Sequence, residues 1–191
     1  PLFDLIKSAV RHRPDLIIVG EIRGEEAYVL FQALATGHGG LCTIHAENVE
    51  TAIKRLTQPP MNIPPAIIPL MNCAIVVKHV RPPIFDQSGK QLSSRKFISV
   101  SEIKDVNTIH DIFTWDSSSD TFQENLSNSF LLKKIARSLN VSVEGLMHEL
   151  EYRKKVLLTM VEHNLRDYRS LNNYLNKYYH SPRSQSEKVS R

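Results

Sequence analysis

The sequence predicts an α/β fold with a parallel sheet, followed by a short antiparallel strand pair and a C-terminal helical bundle. Over roughly the first 80 residues, short apolar runs alternate with stretches whose apolar residues recur at helical spacing, which is typical of a parallel sheet. Two later segments alternate apolar and polar residues, as antiparallel strands do. From Asn128 onward the apolar residues again recur at helical spacing.

The composition is that of an ordinary globular protein. Of the 191 residues, 41% are hydrophobic and 23% are charged. The apolar runs are much shorter than a membrane span, and the first residues show no signal-peptide pattern. Two cysteines, Cys42 and Cys73, do not make a disulfide framework, which fits a reducing cytoplasm. The net charge of +4 permits an acidic partner, nucleic acid or anionic lipid and favours none of them.

The first helix is predicted to end near Arg13-Pro14, because a proline disfavours helical geometry in the residue before it. Its pattern is already under way at position 3 and the chain does not begin with Met, so we expect a domain cut from a longer protein. The next segment, 16–19, is apolar on both faces, as in a central parallel strand. A second helix, 25–36, begins with two glutamates, which the helix dipole favours there.

A second strand is predicted over LCTIHA, 41–46, and is followed by a helix for which Asn48 is the N-cap. After an irregular, proline-rich segment, CAIVVKHV, 73–80, predicts a third strand of the same parallel sheet.

The pattern changes after residue 81. A polar segment with prolines, 82–96, predicts an exposed loop. KFISVSEI and TIHDIFTW, 96–103 and 108–115, predict the antiparallel pair, and DSSSD, 116–120, predicts the turn after it.

Ser142 is the predicted N-cap of a long helix, with Leu146, Leu150, Leu157 and Val161 along one face. Leu165, Tyr168, Leu171 and Leu175 predict a further helix. We therefore expect four regions. They are an α/β region with the parallel sheet (1–81), a loop with the strand pair (82–125), a helical subdomain (126–180) and a disordered tail (181–191).

One carboxylate follows the first strand at the end where ligands bind. Open α/β sheets bind ligands at the carboxyl ends of their strands, so Asp15 lies at the wrong end and Glu21 at the right one. His45 lies near the carboxyl end of the second predicted strand, and Arg23 is two residues past Glu21. In phosphoryl transfer such a carboxylate orients the attacking water or helps to hold the magnesium shell. The alternative is a strand-terminal glutamate that simply faces water.

A zinc site is a second interpretation of the same region, with His38, Cys42 and His45 as ligands. Side chains alternate along a strand, so Cys42 and His45, three residues apart, are predicted to point to opposite sides. A closed zinc site also needs a fourth ligand, which the neighbourhood does not supply. The same geometry argues against a Cys–His nucleophile pair.

RPDLIIVGEIRGEEA followed by ATGHGGLCTIHAEN resembles the secretion ATPase superfamily, the motors of type II and type IV secretion, pili and the archaellum. The first segment is similar to that family's Walker B, with Glu21 in the catalytic position. The second is similar to its His box, with His38 and His45 at the histidine positions. TAIKRLTQPPMNIPPAIIPLMN, SFLLKKIA and YRKKVLLTMVEHNL resemble the archaeal branch, the archaellum and pilus assembly motors. The resemblance covers nearly all of the chain.

The resemblance implies the second half of a RecA-like P-loop NTPase domain that hydrolyses ATP with Mg²⁺. It implies catalytic roles for Glu21, Arg23 and His45, and nucleotide contacts from Gly20, His38 and His45. It also implies that Glu21 holds magnesium indirectly, through water.

The resemblance further implies a homo-hexamer at the cytoplasmic, inner face of the cell membrane, working with a polytopic membrane platform protein. ATP hydrolysis would power pilus or archaellum assembly or protein secretion, and the cargo stays open. Two alternatives remain, a non-catalytic interaction module that retains the fold and a DNA-transfer motor of the same superfamily. No basic stripe interleaved with aromatics is present, so we expect no direct nucleic-acid contact.

The sequence departs from the family in lacking the P-loop, G-x-x-x-x-G-K-[ST]. Its only Gly-Lys pair, Gly89-Lys90, is followed by Gln91, and Ile84 stands where the first glycine belongs. The family's Asp box and arginine fingers, which precede the Walker B, are absent as well. Two cysteines also exclude the tetracysteine zinc knob of bacterial members. We therefore expect a C-terminal fragment that is inactive alone.

Overall fold

A computed structural model describes residues 2–80 and 93–180. Most of the predicted loop, up to residue 92, and the predicted tail 181–191 lie outside the described residues. The chain divides into two compact units, Pro1–Ser129 and Phe130–Arg191.

The first unit contains three α-helices, six strands and two 3-10 helices among its described residues. Its α-helices are α1 (Leu2–Arg11), α2 (Glu26–Ala35) and α3 (Val49–Thr57). Its strands are β1 (Leu16–Val19), β2 (Gly39–Cys42), β3 (Cys73–Val80), β4 (Ser94–Asp105), β5 (Thr108–Asp116) and β6 (Thr121–Glu124). The 3-10 helices are Pro65–Met71 and Leu126–Asn128.

The first two strands pair in parallel, as the sequence predicts, with a register from Leu16↔Gly39 to Val19↔Cys42. The second strand, however, begins before the predicted segment and ends at Cys42, so His45 lies past its end. The strand begins with two glycines at close contacts. A Cβ on Gly39 would lie 3.0 Å from the main-chain oxygen of Asp15, and a Cβ on Gly40 would lie 2.6 Å from Cδ2 of Leu34 in α2, so that leucine side chain would have to move.

The third strand corrects the prediction of a three-stranded parallel sheet. β3 pairs antiparallel with β4, in a four-stranded sheet of order β3-β4-β5-β6. Alternating burial gives the same period of two in parallel and antiparallel strands, so the pattern of 73–80 does not distinguish them. The predicted pairing of β4 with β5 is confirmed. The loop prediction is wrong for residues 94–96, which already belong to β4.

The core of the first unit joins the three helices to β1 and to one end of β4. Ile17 and Val19 point into it from β1, and Ala74 and Val76 of β3 pack against its edge. Its fully buried large side chains are Ile22, Leu30, Phe31, Leu56, Ile63, Ile68 and Ile103. Helix α3 is capped as predicted, since the Asn48 side chain accepts a hydrogen bond from the Thr51 N–H at 2.8 Å.

The second unit consists of α4 (Phe130–Leu139), α5 (Val143–Glu162) and α6 (Tyr168–His180) among its described residues. Ser142 caps α5 as predicted, because its hydroxyl accepts from the Gly145 N–H at 3.0 Å. The predicted apolar face is wrong toward its C-terminal end. Leu150, Leu157 and Val161 are exposed, and Met160 is the buried residue near the end of the helix. No helix in the described part of the chain has the length and apolar character needed to cross a bilayer.

Candidate functional site

The site begins where β1 ends. The Ile22 N–H donates to the Thr43 carbonyl at 3.0 Å, so the main-chain segments that follow β1 and β2 stay side by side beyond the last residue pair of the sheet. Ile22 is buried and anchors this segment in the core. Because side chains alternate along an extended chain, Glu21 and Arg23 on either side of Ile22 share the opposite, outward side. Their charged groups meet there, with Nη2 of Arg23 donating to Oε2 of Glu21 at 2.5 Å.

The segment after β2 supplies the third residue. The Thr43 hydroxyl donates to the Gly20 carbonyl at 2.5 Å and ties the two segments together. Nε2 of His45 lies 3.4 Å from Oε1 of Glu21. The Glu21 side chain is 25% exposed and that of His45 is 81% exposed, so the cluster is open to solvent. The structure thus brings together Glu21, Arg23 and His45, the three predicted catalytic residues.

The surrounding cations keep Glu21 ionised. The hydrogen bond from Arg23 lowers the pKa of Glu21, and partial desolvation opposes it by a smaller amount. The positive charges of Arg23 and Arg55, and that of His45 when it is protonated, lower that pKa further. The same contact raises the pKa of Arg23. At neutral pH the pair is therefore a carboxylate beside a guanidinium, and the other carboxylate oxygen, Oε1, can accept a hydrogen bond from water.

Sequence reasoning missed Arg55. It lies near the end of α3, where its guanidinium donates a hydrogen bond to the main-chain carbonyl of His45. It also adds positive charge to the surroundings of Glu21. The spacing in the sequence could have indicated this residue. Arg55 follows the N-cap Asn48 by seven residues, or two helical turns, so both lie on the same face of α3.

Glu26 holds the loop between Glu21 and α2. Its Oε1 accepts hydrogen bonds from the N–H groups of Arg23 at 2.6 Å and Gly24 at 2.9 Å. Desolvation alone would raise the pKa of Glu26, but the N–H groups of Arg23, Gly24 and Glu26 together lower it below its usual value. Glu26 therefore fixes the main chain on which the Arg23 side chain is carried.

The remaining predicted site residues lie at different ends of the strand pair. Gly20 is next to Glu21, and its carbonyl is the acceptor for Thr43. His38 precedes β2 at the amino end of the pair, where the neighbouring Gly39 N–H donates to the Asp15 carbonyl. Its Nδ1 lies 3.2 Å from the Ala33 carbonyl. The strands are four residues long, so their amino and carboxyl ends are about 13 Å apart. His38 lies at the amino end and Glu21 at the carboxyl end, so the structure does not bring them together.

The described residues contain no cluster of three or more histidine, cysteine or acidic side chains that could hold a metal ion. The predicted reason for excluding zinc, that Cys42 and His45 alternate on one strand, needs correction, because β2 ends at Cys42.

The Glu21 cluster offers one ionised carboxylate with cations nearby. Such a carboxylate fits a position next to the water molecules of a Mg²⁺ ion that is bound to phosphate. The sequence of this chain has no P-loop to hold the phosphates themselves.

Comparison with known proteins places this geometry in a family. The family model of type II/IV secretion system proteins matches residues 1–82, which include β1, β2 and the Glu21 cluster. Over residues 1–82 the chain belongs to the type II/IV secretion ATPase superfamily. Two archaeal relatives, both uncharacterized proteins of Methanocaldococcus jannaschii, match more of the chain than the family model does. One is 38% identical over 157 residues, or 82% of this chain and 57% of its own length. The other is 36% identical over 187 residues, or 93% of this chain and 33% of its own length.

Bacterial members of the superfamily match over a shorter stretch. The probable conjugal transfer protein TrbB of Sinorhizobium fredii is 49% identical over 55 residues, or 28% of this chain and 17% of its own length. Among solved structures, the ATPase DotB of Legionella pneumophila is 23% identical, with a TM-score of 0.40 over 51% of this chain and 27% of that one. This chain thus spans between a third and just over half of the length of its two archaeal relatives.

Proposed function

We propose that this chain supplies the water-activating part of an ATP-driven secretion motor. The observation that carries the proposal is the ionised Glu21 carboxylate, held by Arg23 and reached by His45, at the carboxyl ends of two parallel strands. In that position Glu21 accepts a hydrogen bond from the attacking water and aligns it with the terminal phosphate.

Each neighbour of Glu21 has a distinct role in this proposal. Arg23 fixes one carboxylate oxygen and adds positive charge beside the phosphates. His45 donates a hydrogen bond to a phosphate oxygen or to the water, and its exposure leaves it free to do so. Gly20 leaves room for the nucleotide, because nothing lies within 4 Å of the position its Cβ would take. Nucleotide contact by His38 stays a prediction from the family resemblance.

The metal belongs to the same proposal. Mg²⁺ bound with ATP neutralises the negative charge that develops on the phosphates. Glu21 would hold it through water, since this carboxylate is already paired with Arg23.

For the whole protein we propose a RecA-like motor that works as a homo-hexamer. It would act in the cytoplasm, peripheral to the inner face of the membrane, with a polytopic platform protein. It would power archaeal pilus or archaellum assembly or protein secretion. The archaeal branch is supported by relatives that match 157 and 187 residues of the chain, including its helical C-terminal part.

A DNA-transfer motor is the second candidate, since three relatives are named as conjugal transfer proteins. Their matches span 45 to 55 residues, fewer than the family model covers, so they support the superfamily more than they support DNA as the cargo.

The test is the substitution Glu21→Gln in the proposed whole protein, in which a P-loop would precede residue 1. Glutamine keeps the size of the side chain and loses its charge, so nucleotide binding should persist while ATP turnover falls on the order of 100-fold. ATP affinity and turnover are measured on the same hexamer preparation.

The matched control is Glu25→Gln, which makes the same chemical change four residues away. Glu25 is exposed and makes no capping hydrogen bond with its side chain, so turnover should stay at the wild-type rate. Normal turnover in both variants would exclude Glu21 from the chemistry.

A further inference from the structure

His45 lies on an irregular stretch of main chain between β2 and α3. Residues 43–48 belong to no strand or helix, so no regular ladder of hydrogen bonds fixes the main chain of His45. Thr43 is tied to the segment after β1, since its hydroxyl donates to the Gly20 carbonyl and its own carbonyl accepts from the Ile22 N–H. That tie lies two residues before His45 and leaves the peptide group of His45 to be held by another contact.

Arg55 supplies this second contact. Its guanidinium donates a hydrogen bond to the His45 carbonyl from a position ten residues further along the chain. Helix α3 gives Arg55 a fixed base, because Ile53 and Leu56 of the same helix are buried in the core of the first unit. A planar guanidinium is also pre-organised, so it loses less conformational freedom for each hydrogen bond than an ammonium does. The contact therefore joins the irregular stretch to a well-packed helix.

The charge of Arg55 reaches Glu21 as well. Arg55 is exposed, and within the described part of the chain no carboxylate lies at salt-bridge distance from it. Its positive charge is one of those that lower the pKa of Glu21. Arg55 thus acts on two members of the cluster, on His45 through a hydrogen bond and on Glu21 through its charge.

We propose that Arg55 is the positioning residue for His45. Its hydrogen bond fixes the peptide group that carries the imidazole, and so keeps Nε2 of His45 at 3.4 Å from Oε1 of Glu21. This role rests on the proposed function, because His45 acts on phosphate or water only within it. It adds that the geometry of the cluster is set from α3, which lies outside the strand pair.

Direct binding of phosphate is the competing role for Arg55. Positioning is favoured because the guanidinium already has an acceptor within the protein, the His45 carbonyl. The two roles differ in steady-state kinetics. Loss of a phosphate ligand weakens substrate binding and raises the KM for ATP, whereas loss of a positioning residue spoils the alignment of the reacting groups and lowers kcat.

The contact itself can be tested by NMR on the 191-residue chain without nucleotide. The Ala46 N–H belongs to the same peptide group as the His45 carbonyl, so its amide resonance reports the hydrogen bond to that carbonyl. Arg55→Met keeps a long side chain and removes the charge and the donors. It should move the Ala46 resonance and raise the pKa of Glu21 toward its ordinary 4.5. Arg55→Lys should change both less, since an ammonium keeps the charge and can donate.

The matched control is Lys54→Met, which removes a positive charge one residue earlier in α3. Lys54 is exposed, and it is not among the charges that lower the pKa of Glu21. This variant should give the wild-type Ala46 resonance and the wild-type pKa of Glu21. Since both substituted positions are exposed, the melting temperature of each variant should stay close to that of wild type.

Turnover is then measured in the proposed whole protein. Arg55→Met should lower kcat on the order of 10-fold, because His45 is no longer held in place, while the KM for ATP stays within about twofold. Arg55→Lys should recover most of the lost turnover, and Lys54→Met should turn over at the wild-type rate. Glu21→Gln is measured beside them as the test of the proposed function.

Four results would contradict this role of Arg55, and they are distinguishable. An Ala46 resonance and a Glu21 pKa that stay unchanged in Arg55→Met would show that the contact does not exist. A raised KM at unchanged kcat would make Arg55 a phosphate ligand. Slow turnover in Glu21→Gln with normal turnover in Arg55→Met would leave the proposed function standing and remove the role of Arg55. Normal turnover in Glu21→Gln would overturn the proposed function, and the role of Arg55 with it.

Discussion

The low pKa of Glu21 limits what this residue does in catalysis. A carboxylate whose pKa is lowered by Arg23 stays ionised at every physiological pH, but it accepts a full proton poorly. Glu21 is therefore better suited to orienting water than to storing a proton. A pH profile of turnover should accordingly show that the loss caused by protonation of Glu21 begins at a lower pH than the ordinary glutamate pKa of 4.5 would give.

His45 should affect activity far more than stability. Its side chain is 81% exposed, so His45→Ala should change the free energy of unfolding by less than about 1 kcal/mol, as for a surface change. ATPase activity of the whole protein should fall strongly, because the hydrogen bond to phosphate or water is lost. Thermal unfolding and turnover are measured on one preparation.

The matched control for His45 is His12→Ala, at another exposed histidine of the same unit. It should leave both quantities unchanged. A lower melting temperature for His45→Ala, with normal activity per folded hexamer, would instead make His45 a structural residue.

Individual site residues were predictable where a rule ties sequence to position. Glu21, Arg23 and His45 follow from the rule that ligands bind at the carboxyl ends of parallel strands, and the structure brings them together. Arg55 was not predictable, because its contact with the His45 carbonyl depends on how α3 folds back. The distance between His38 and Glu21 also required the structure, since it depends on the strand beginning at Gly39.

At the level of elements, helices were predictable and strand partners were not. Caps such as Asn48 and Ser142 are local, so a short stretch of sequence determines them. Strand pairing is non-local, which is why β3 was assigned to the wrong sheet. Glycines disfavour strands in general, so the start of β2 at Gly39 was missed. β6 has four exposed residues, too few to give a pattern.

The loop before α2 should depend on the charge of Glu26. Its carboxylate accepts two main-chain hydrogen bonds, so Glu26→Ala should cost about 1 to 2 kcal/mol at neutral pH. The folded-state pKa of Glu26 is lowered from its ordinary 4.5, so this contribution is complete above that pH. It is lost as the pH falls through the folded-state pKa.

Urea unfolding of wild type and Glu26→Ala, at neutral pH and at acid pH, measures the effect. The difference between the two proteins should shrink in acid. Glu25→Ala is the control, because Glu25 makes no capping hydrogen bond with its side chain, and it should behave as wild type at both pH values. A difference for Glu26→Ala that does not change with pH would mean that packing, rather than charge, holds the loop.

The whole chain should not hydrolyse ATP. It contains the Glu21 cluster, but its sequence has no P-loop, so no backbone nest or lysine holds the triphosphate. Purified chain with Mg²⁺ and ATP should release phosphate at the background rate, and ATP should not raise its melting temperature. The Glu21→Gln chain is the control for contaminating ATPases. Steady turnover that this substitution abolishes would show that the chain binds and hydrolyses ATP without a P-loop.

The two sheets differ in how many neighbours each strand has, and the Glu21 cluster depends on the smaller one. β1 and β2 share four residue pairs, whereas β4 has a partner on both sides. Backbone amides of the small pair should therefore exchange with deuterium through local opening, while those of β4 wait for larger unfolding events. Glu21 and His45 lie at the end of that small pair, so each opening separates them. The time that the cluster spends assembled is thus governed by the lifetime of a few hydrogen bonds, and anything that binds across β1 and β2 lengthens it.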